Sequence, residues 1–293
     1  MILVTGATGM TGSELVRRLS ARGVPVRGLT RNMVKAAALT ALPHVEMVEG
    51  DMEHPETLTS SLQGVERAML ISSSDARMLD IQSNFIEAAK KAGVKYVVKL
   101  SGIMPELDSP FRYARMHGEI EKRLEASGMA FTNLRAGEFF TAYFRRVPLI
   151  VAKGLLVLPM EDARIASIDV GDLAEVAATV LTNTGHEGQT YPLTGSEALT
   201  MTEVAERLSV VTGKPIQYVN VAPEEARSTN LANGMPLYLA DGLFELFAER
   251  RKGKEAQVST VIPEVFGWQP TRFAEFAARN AAIFRGEQPA PRV

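Results

Sequence analysis

The chain has no cysteine. Disulfides, thiolate metal sites and cysteine nucleophiles are excluded together, which fits a reducing compartment and makes the cytoplasm the expected location. An excess of either charge is missing too. The 32 Lys and Arg stand against 34 Asp and Glu, a formal net charge of −2, so no global field steers the molecule to nucleic acid or a membrane surface. Long apolar runs are absent. The most hydrophobic late stretch, 147–160, is interrupted by Pro148, Lys153, Gly154 and Pro159 and is too short to span a bilayer. With a strand expected from residue 2, no signal peptide is expected. His44, His54 and His186 show no ligand-like spacing, so no metal site is expected.

What is present is an alternation. The 293 residues, 46% of them hydrophobic, suffice for one large core or two modest ones. Apolar runs predict strands at 2–5, 25–30, 45–49, 67–71, 95–101 and 130–135, with helical segments at 10–21, 34–42, 56–62, 78–92 and 111–127 between them. Gly93 and Gly128 sit where helix C-caps belong. This pattern is an α/β fold, a doubly wound parallel sheet of the Rossmann type. It is assigned to residues 1–160, with a helix at 169–183 returning to it. Residues 185–293 are expected to form a smaller α+β domain over the sheet's C-terminal edge. Its elements are a strand at 190–193, a helix at 202–212, a strand at 216–221 and helices near Glu224, Leu237 and Thr271. The tail 288–293 is expected to fray.

The first twelve residues carry the sharpest signal. Ile2, Leu3 and Val4 run into Gly6, Gly9 and Gly12, and an amphipathic segment with Leu15, Val16 and Leu19 follows. Gly6 permits a tight turn off the strand, Gly9 lets backbone N–H groups approach phosphate, and Gly12 lets the helix sit close. Together with Thr8, Met10 and Thr11 they form the expected cradle for a dinucleotide pyrophosphate at a helix N-terminus. The second strand ends in Thr30-Arg31-Asn32, with Lys35 a turn later and no neighbouring acid in sequence. Arg31 and Lys35 suit a 2′-phosphate, which makes NADP(H) the expected cofactor in preference to NAD(H), with no flavin or metal. Asp51 is a candidate acceptor for the adenine amino group or, equally, a helix N-cap, and Met52 follows it. Ser72 and Ser73 end the fourth strand, where they line the cofactor's central portion or make a turn.

Catalytic groups should come from the fifth strand and the helix after it. The Tyr-x-x-x-Lys pair of short-chain dehydrogenases is absent; the one tyrosine in register is Tyr113, with His117 in the lysine's place. One helical turn puts the two on one face. His117 is a candidate general acid or a ligand of the nicotinamide ribose, and Tyr113 a weaker candidate. Ser101 is placed to hydrogen-bond a carbonyl or amide, while Lys99 reads as a stem on the sheet edge with its ammonium in water. Phe139, Phe140 and Tyr143 are candidates for stacking a planar substrate.

Four segments carry a family resemblance: GATGMTG, GDMEHPETLTSSLQGVERAMLIS, HGEIEKRLEASGMAFTNLRAGEFF and YPLTGSEALTMTEVAERLSVVTGKPI. Over essentially its whole length the chain resembles the NmrA-like group of atypical short-chain dehydrogenase/reductases. Within that group it looks most like NAD(P)H-dependent quinone, azo-dye and triphenylmethane-dye reductases, which transfer hydride largely by positioning. The isoflavone-reductase branch has a catalytic lysine where this chain has His117, so that mechanism does not transfer. The resemblance implies an NADPH-dependent reductase of a small planar acceptor, monomeric or homodimeric. The alternative is a non-catalytic NADP(H)-binding redox sensor that acts on a protein partner. An extended-type epimerase or dehydratase is disfavoured by the missing lysine.

Overall fold

Continuous apolar runs make strands covered on both faces, and parallel pairing of such strands needs helical crossovers. The computed structural model, which describes residues 1–291, follows that rule in its first half. The order is β1 Ile2–Val4, α1 Met10–Ala21, β2 Val26–Thr30, α2 Met33–Thr40, β3 Val45–Glu49, α3 Leu58–Ser61, β4 Arg67–Leu70, α4 Met78–Lys91, β5 Tyr96–Gly102, α5 Arg112–Glu125 and β6 Ala130–Ala136. There follow α6 Val147–Lys153, β7 Leu155–Leu158, α7 Val170–Thr182, β8 Gln189–Leu193, α8 Met201–Thr212, β9 Gln217–Asn220, α9 Pro223–Ala232, α10 Leu237–Arg251, α11 Phe273–Arg279 and α12 Ala281–Phe284.

Seven strands form one sheet in the order β3-β2-β1-β4-β5-β6-β8, parallel from β3 through β6. The chain winds outward from β1 to β3, then crosses back to lay β4 on the other side of β1. That reversal opens a crevice at the C-terminal ends of β1 and β4, the place where open α/β sheets take their ligands. Thr5 stitches the two strand ends together: its hydroxyl donates to Ile71 O and accepts from Ile71 N–H, each at 2.7 Å.

The chain divides into two compact units. The first comprises Met1–Ser109, Tyr113–Ala136 and Val170–Pro192; the second takes Pro110–Arg112, Gly137–Asp169 and the chain from Leu193 onward. Within the first, α7 lies against α1, where Arg18 Nη1 meets Glu175 Oε2 at 2.6 Å. Only the short link 183–188 leads from α7 to β8. The strand expected at 190–193 in the smaller domain is therefore the edge strand of the main sheet, a correction imposed by that short tether.

In the second unit, the stretch read as a mere connection becomes a 3₁₀ turn at Phe140–Arg146, then α6 and β7. β7 pairs in parallel with β9, Leu155 opposite Gln217. Its core is aromatic: Phe140, Phe144, Phe273, Phe276 and Phe284 are all buried. A reciprocal box caps α8, with Thr200 and Glu203 each accepting the other's backbone N–H. The tail expected to fray from residue 288 is tied down at first, since Gln288 N–H donates to Ala282 O at 3.2 Å and Ala290 packs on the core. Its last two residues, Arg292 and Val293, lie outside the described residues.

Candidate functional site

The glycine turn has the geometry its spacing predicts. Gly6 has φ of 59°, a left-handed conformation that a side chain disfavours. A Cβ on Gly12 would lie 2.2 Å from Gly6 O, so only glycine lets α1 sit on the turn. Gly9 is the N-cap of α1, exposed and extended, with no side chain capping the helix and no acidic residue in its first turn. A Cβ there would meet only Gly6 O, at 3.3 Å. Thr8 and Met10 are half-buried beside it, and Thr11 is buried. The positive end of α1 is thus left open to an anion, and these residues fit a dinucleotide pyrophosphate.

Beyond β2, Asn32 caps α2 by accepting N–H groups from Val34 and Lys35, which leaves the Arg31 and Lys35 side chains exposed. One expectation fails. No acid neighbours Arg31 in sequence, yet Glu53 comes within 3.5 Å of its guanidinium and also pairs with Arg77. The carboxylate arrives from the loop after β3 because β2 and β3 are paired neighbours. Asp51, in the same loop, accepts the N–H of Glu53 at 3.0 Å, so its carboxylate closes a turn rather than capping a helix. Met52 O accepts from the Asn84 side chain at 3.0 Å. Ser72 accepts from Gln82 at 2.9 Å, and the exposed Ser73 donates to Asp75 at 3.3 Å.

The fifth strand holds the largest surprise. Lys99 has 0% of its surface exposed, which overturns the expectation of an ammonium in water. A central parallel strand is covered on both faces, so a lysine there finds no solvent on either side. Its Nζ lies 2.9 Å from Nδ1 of His117 on α5 and donates to Leu100 O at 3.2 Å. Burial pulls the Lys99 pKa from its ordinary 10.5 to about 7; Glu121 partly opposes the drop and Arg135 adds to it. Burial and the Lys99 charge together hold His117 well below its usual range. The imidazole packs against the Gly102 backbone, where a Cβ would come within 3.1 Å of its Cδ2.

Ser101 is already engaged. Its hydroxyl donates to the buried Glu121 at 2.6 Å, and Arg135 holds the other Glu121 oxygen at 2.6 Å. The expected hydrogen bond from Ser101 to a carbonyl or amide thus competes with a charge-assisted bond already made. Tyr113 is buried one turn before His117. Sequence reasoning passed over Glu121, four residues after His117 and so on the same face of α5, and it read Lys99 wrongly. A lysine inside Tyr96-Val-Val-Lys-Leu100 was the signal for both.

In the second unit the three candidate rings part company. Phe140 is 2% exposed, with its ring centroid 5.3 Å from those of both Phe273 and Phe276, so it is core and offers no stacking face. Phe139 is half-buried, and its backbone bridges Ile168. Tyr143 is buried edge-on against Phe273 and lines a cavity. Among the described residues, no three His, Asp or Glu side chains converge as metal ligands, and no helix is long and apolar enough to cross a membrane.

Comparison with known proteins agrees with this frame. The model of the NmrA-like family matches residues 1–277. The NAD(P)H azoreductase of Xenophilus azovorans is 38% identical over 284 residues, covering 97% of this chain and 99% of that protein. The NADPH-dependent quinone oxidoreductase of Escherichia coli, solved with NADPH, has a TM-score of 0.87 at 34% identity and covers 95% of this chain and 99% of its own. The triphenylmethane reductase of Citrobacter sp., solved with NADP(H), has a TM-score of 0.86 at 28% identity, covering 96% and 100%. The chain belongs to the NmrA-like family.

Proposed function

We propose that this protein is an NADPH-dependent reductase of a flat conjugated acceptor, a quinone or a dye. The observation that carries the reading is the full-length likeness to an azoreductase at 38% identity. The open N-terminus of α1 and the exposed Arg31 and Lys35 give it physical support as places for a pyrophosphate and a 2′-phosphate. Bound NADPH would supply the hydride, and one hydride with one proton converts a quinone to its hydroquinone.

The chain's own task is then to hold the proton. His117 is neutral near pH 7 and cannot act as a stored imidazolium. Lys99 in its ammonium form can only donate, so Nδ1 of His117 accepts and the ring hydrogen resides on Nε2. When Nε2 gives that hydrogen to the reduced acceptor, Nδ1 takes one from Lys99, which becomes the neutral amine that its burial favours. Ser101 and Arg135 hold the two oxygens of the neighbouring Glu121 carboxylate. The test is NADPH oxidation against a panel of quinones and azo dyes, followed at the nicotinamide absorbance. Turnover with a planar acceptor is expected; tight NADPH binding with no turnover across the panel would move the protein to a sensing role.

A further inference from the structure

The proton path leaves one buried acid without a task. Glu121 is 3% exposed, between the sheet and α5, where a carboxylate costs free energy that an apolar side chain would save. Its contacts fix it on both oxygens. Ser101 donates to Oε1 at 2.6 Å, while Arg135 donates from Nε to Oε1 at 3.2 Å and from Nη2 to Oε2 at 2.6 Å. Strand and helix periods bring this clamp beside Lys99. Lys99 and Ser101 are two residues apart on β5 and both meet α5; His117 and Glu121 are one turn apart on α5; and Arg135 lies opposite Ser101 on β6. The titratable groups on this stripe of α5 are Tyr113, His117, Glu121 and Glu125, of which Glu125 meets Asn133 of β6 at 3.5 Å. On the other side of β5, β4 sets the apolar Leu70 opposite Lys99.

We propose that Glu121 is a positioning residue of the proton path: its carboxylate, clamped by Ser101 and Arg135, keeps the Lys99 side chain in its ammonium form beside Nδ1 of His117. Burial does most to loosen the Lys99 proton; Glu121 works against burial and Arg135 works with it. Lys99 is sealed from solvent whereas His117 is half-buried, so the ring is the member of the pair that meets anything outside the fold. A lysine in that place needs a counter-charge to stay loaded, and Glu121 supplies it without touching the acceptor. The part played in turnover rests on the reductase reading; the effect on Lys99 does not.

The test uses the full chain isotope-labelled at lysine Cε and followed by NMR, with the Lys99 resonance identified by its loss in Lys99→Met. Wild-type Lys99 is expected to titrate with a midpoint of about 7. Glu121→Gln keeps the shape and an acceptor for Ser101 while removing the charge, and should lower that midpoint by about one pH unit or more, the effect of losing a nearby opposite charge. Arg135→Met breaks the same ion pair yet should raise the midpoint, because it removes a cation. A merely structural ion pair gives no such opposite movement. In turnover, the limb along which kcat falls as Lys99 loses its proton should follow each midpoint, with the KM for NADPH within about twofold of wild type. An unmoved midpoint in a folded Glu121→Gln overturns the proposal, as does movement in the same direction in both variants. If Glu121→Gln does not fold, Arg135→Met decides alone, and a midpoint that fails to rise overturns the proposal. A kcat limb that stays in place while the midpoints move removes Glu121 from the proton path. Absence of turnover in the wild type with every acceptor counts against the reductase reading instead, and the Lys99 midpoints still decide what Glu121 does.

Discussion

Two cations of the first unit stand in opposite surroundings. Lys99 is fully buried on β5, its ammonium facing an imidazole and a carbonyl oxygen. Arg31, at the end of β2, keeps 63% of its side chain exposed and has Glu53 alongside. Burial makes the Lys99 charge expensive, so that group gives up a proton near neutrality. Arg31 lies mostly in solvent, and its planar guanidinium offers a fork of fixed donors. One cation is suited to moving a proton, the other to recognising a fixed negative charge. Under the proposed function the same formal charge would serve chemistry in one place and specificity in the other, with its surroundings making the choice.

The contrast has no functional meaning unless a dinucleotide is held at the glycine turn, so the largest effects are expected there. Gly12→Val places carbon atoms on the Gly6 carbonyl, and the turn and α1 cannot both keep their positions. A loss of several kcal/mol is expected, on the scale of strong core overpacking, read as a large fall in melting temperature. Gly9→Val should behave differently. Its Cβ meets one atom, Gly6 O, at 3.3 Å, a tight contact that a shift of a few tenths of an ångström relieves, so the variant should fold while losing measurable NADPH binding by calorimetry. Normal NADPH affinity in Gly9→Val would reduce the opening motif to a turn.

Effects at the buried cation should be smaller and should separate stability from chemistry. Folding removes a proton from Lys99 across the window from its ordinary 10.5 down to about 7. Stability therefore rises with pH through that window and is lost as pH falls toward 7, by at most about 1.4 kcal/mol per pH unit. Lys99→Met should flatten this slope and melt no lower than wild type at pH 7, because the cost of burying the charge disappears. It should nonetheless slow turnover. His117→Ala should lower the rate by up to about 10²-fold with NADPH affinity largely kept. The double variant should be no slower than the slower single one, since both side chains serve one proton path. Additive losses would show that they act separately, and an unchanged rate in Lys99→Met would make the lysine a packing residue.

What was legible in the sequence follows a physical line. β1 to β6 and the glycine turn could be read because parallel strands and phosphate turns write their requirements locally, as apolar runs and as glycine spacing. The second unit was harder. Residues 140–158 form a turn, a helix and a strand in quick succession, each too short to show a period, and the Phe140 ring finds its partners only at residues 273 and 276. Among the candidate residues, His117 was visible as a titratable group in the right helix. Its partner Lys99 was misread because a lysine's usual place is water, and that default outweighed the strand around it. Glu53 was missed for a different reason. It is more than twenty residues from Arg31 in sequence and meets it only through the pairing of β2 with β3.

That pairing sets the smallest of the expected effects. Arg31 meets solvent on one side and the Glu53 carboxylate on the other, and Glu53 is shared with Arg77, so part of the Arg31 charge is already offset. NADPH should still bind more tightly than NADH, because Arg31 and Lys35 together outweigh what remains of one carboxylate. The preference belongs near the lower end of a charge-assisted contact, about tenfold. Arg31→Ala should erase most of it by weakening NADPH while leaving NADH nearly unchanged, and Arg31→Asp should reverse it. Glu53→Gln should move the other way, tightening NADPH about two- to threefold by freeing the guanidinium. All of these differences should shrink as salt is raised, since the group is exposed to solvent. Titrating both nucleotides into wild type and the three variants at two ionic strengths measures each term. Equal wild-type affinity for NADH and NADPH would remove Arg31 from cofactor recognition, and weaker NADPH binding in Glu53→Gln would show that the carboxylate holds Arg31 in place rather than opposing it.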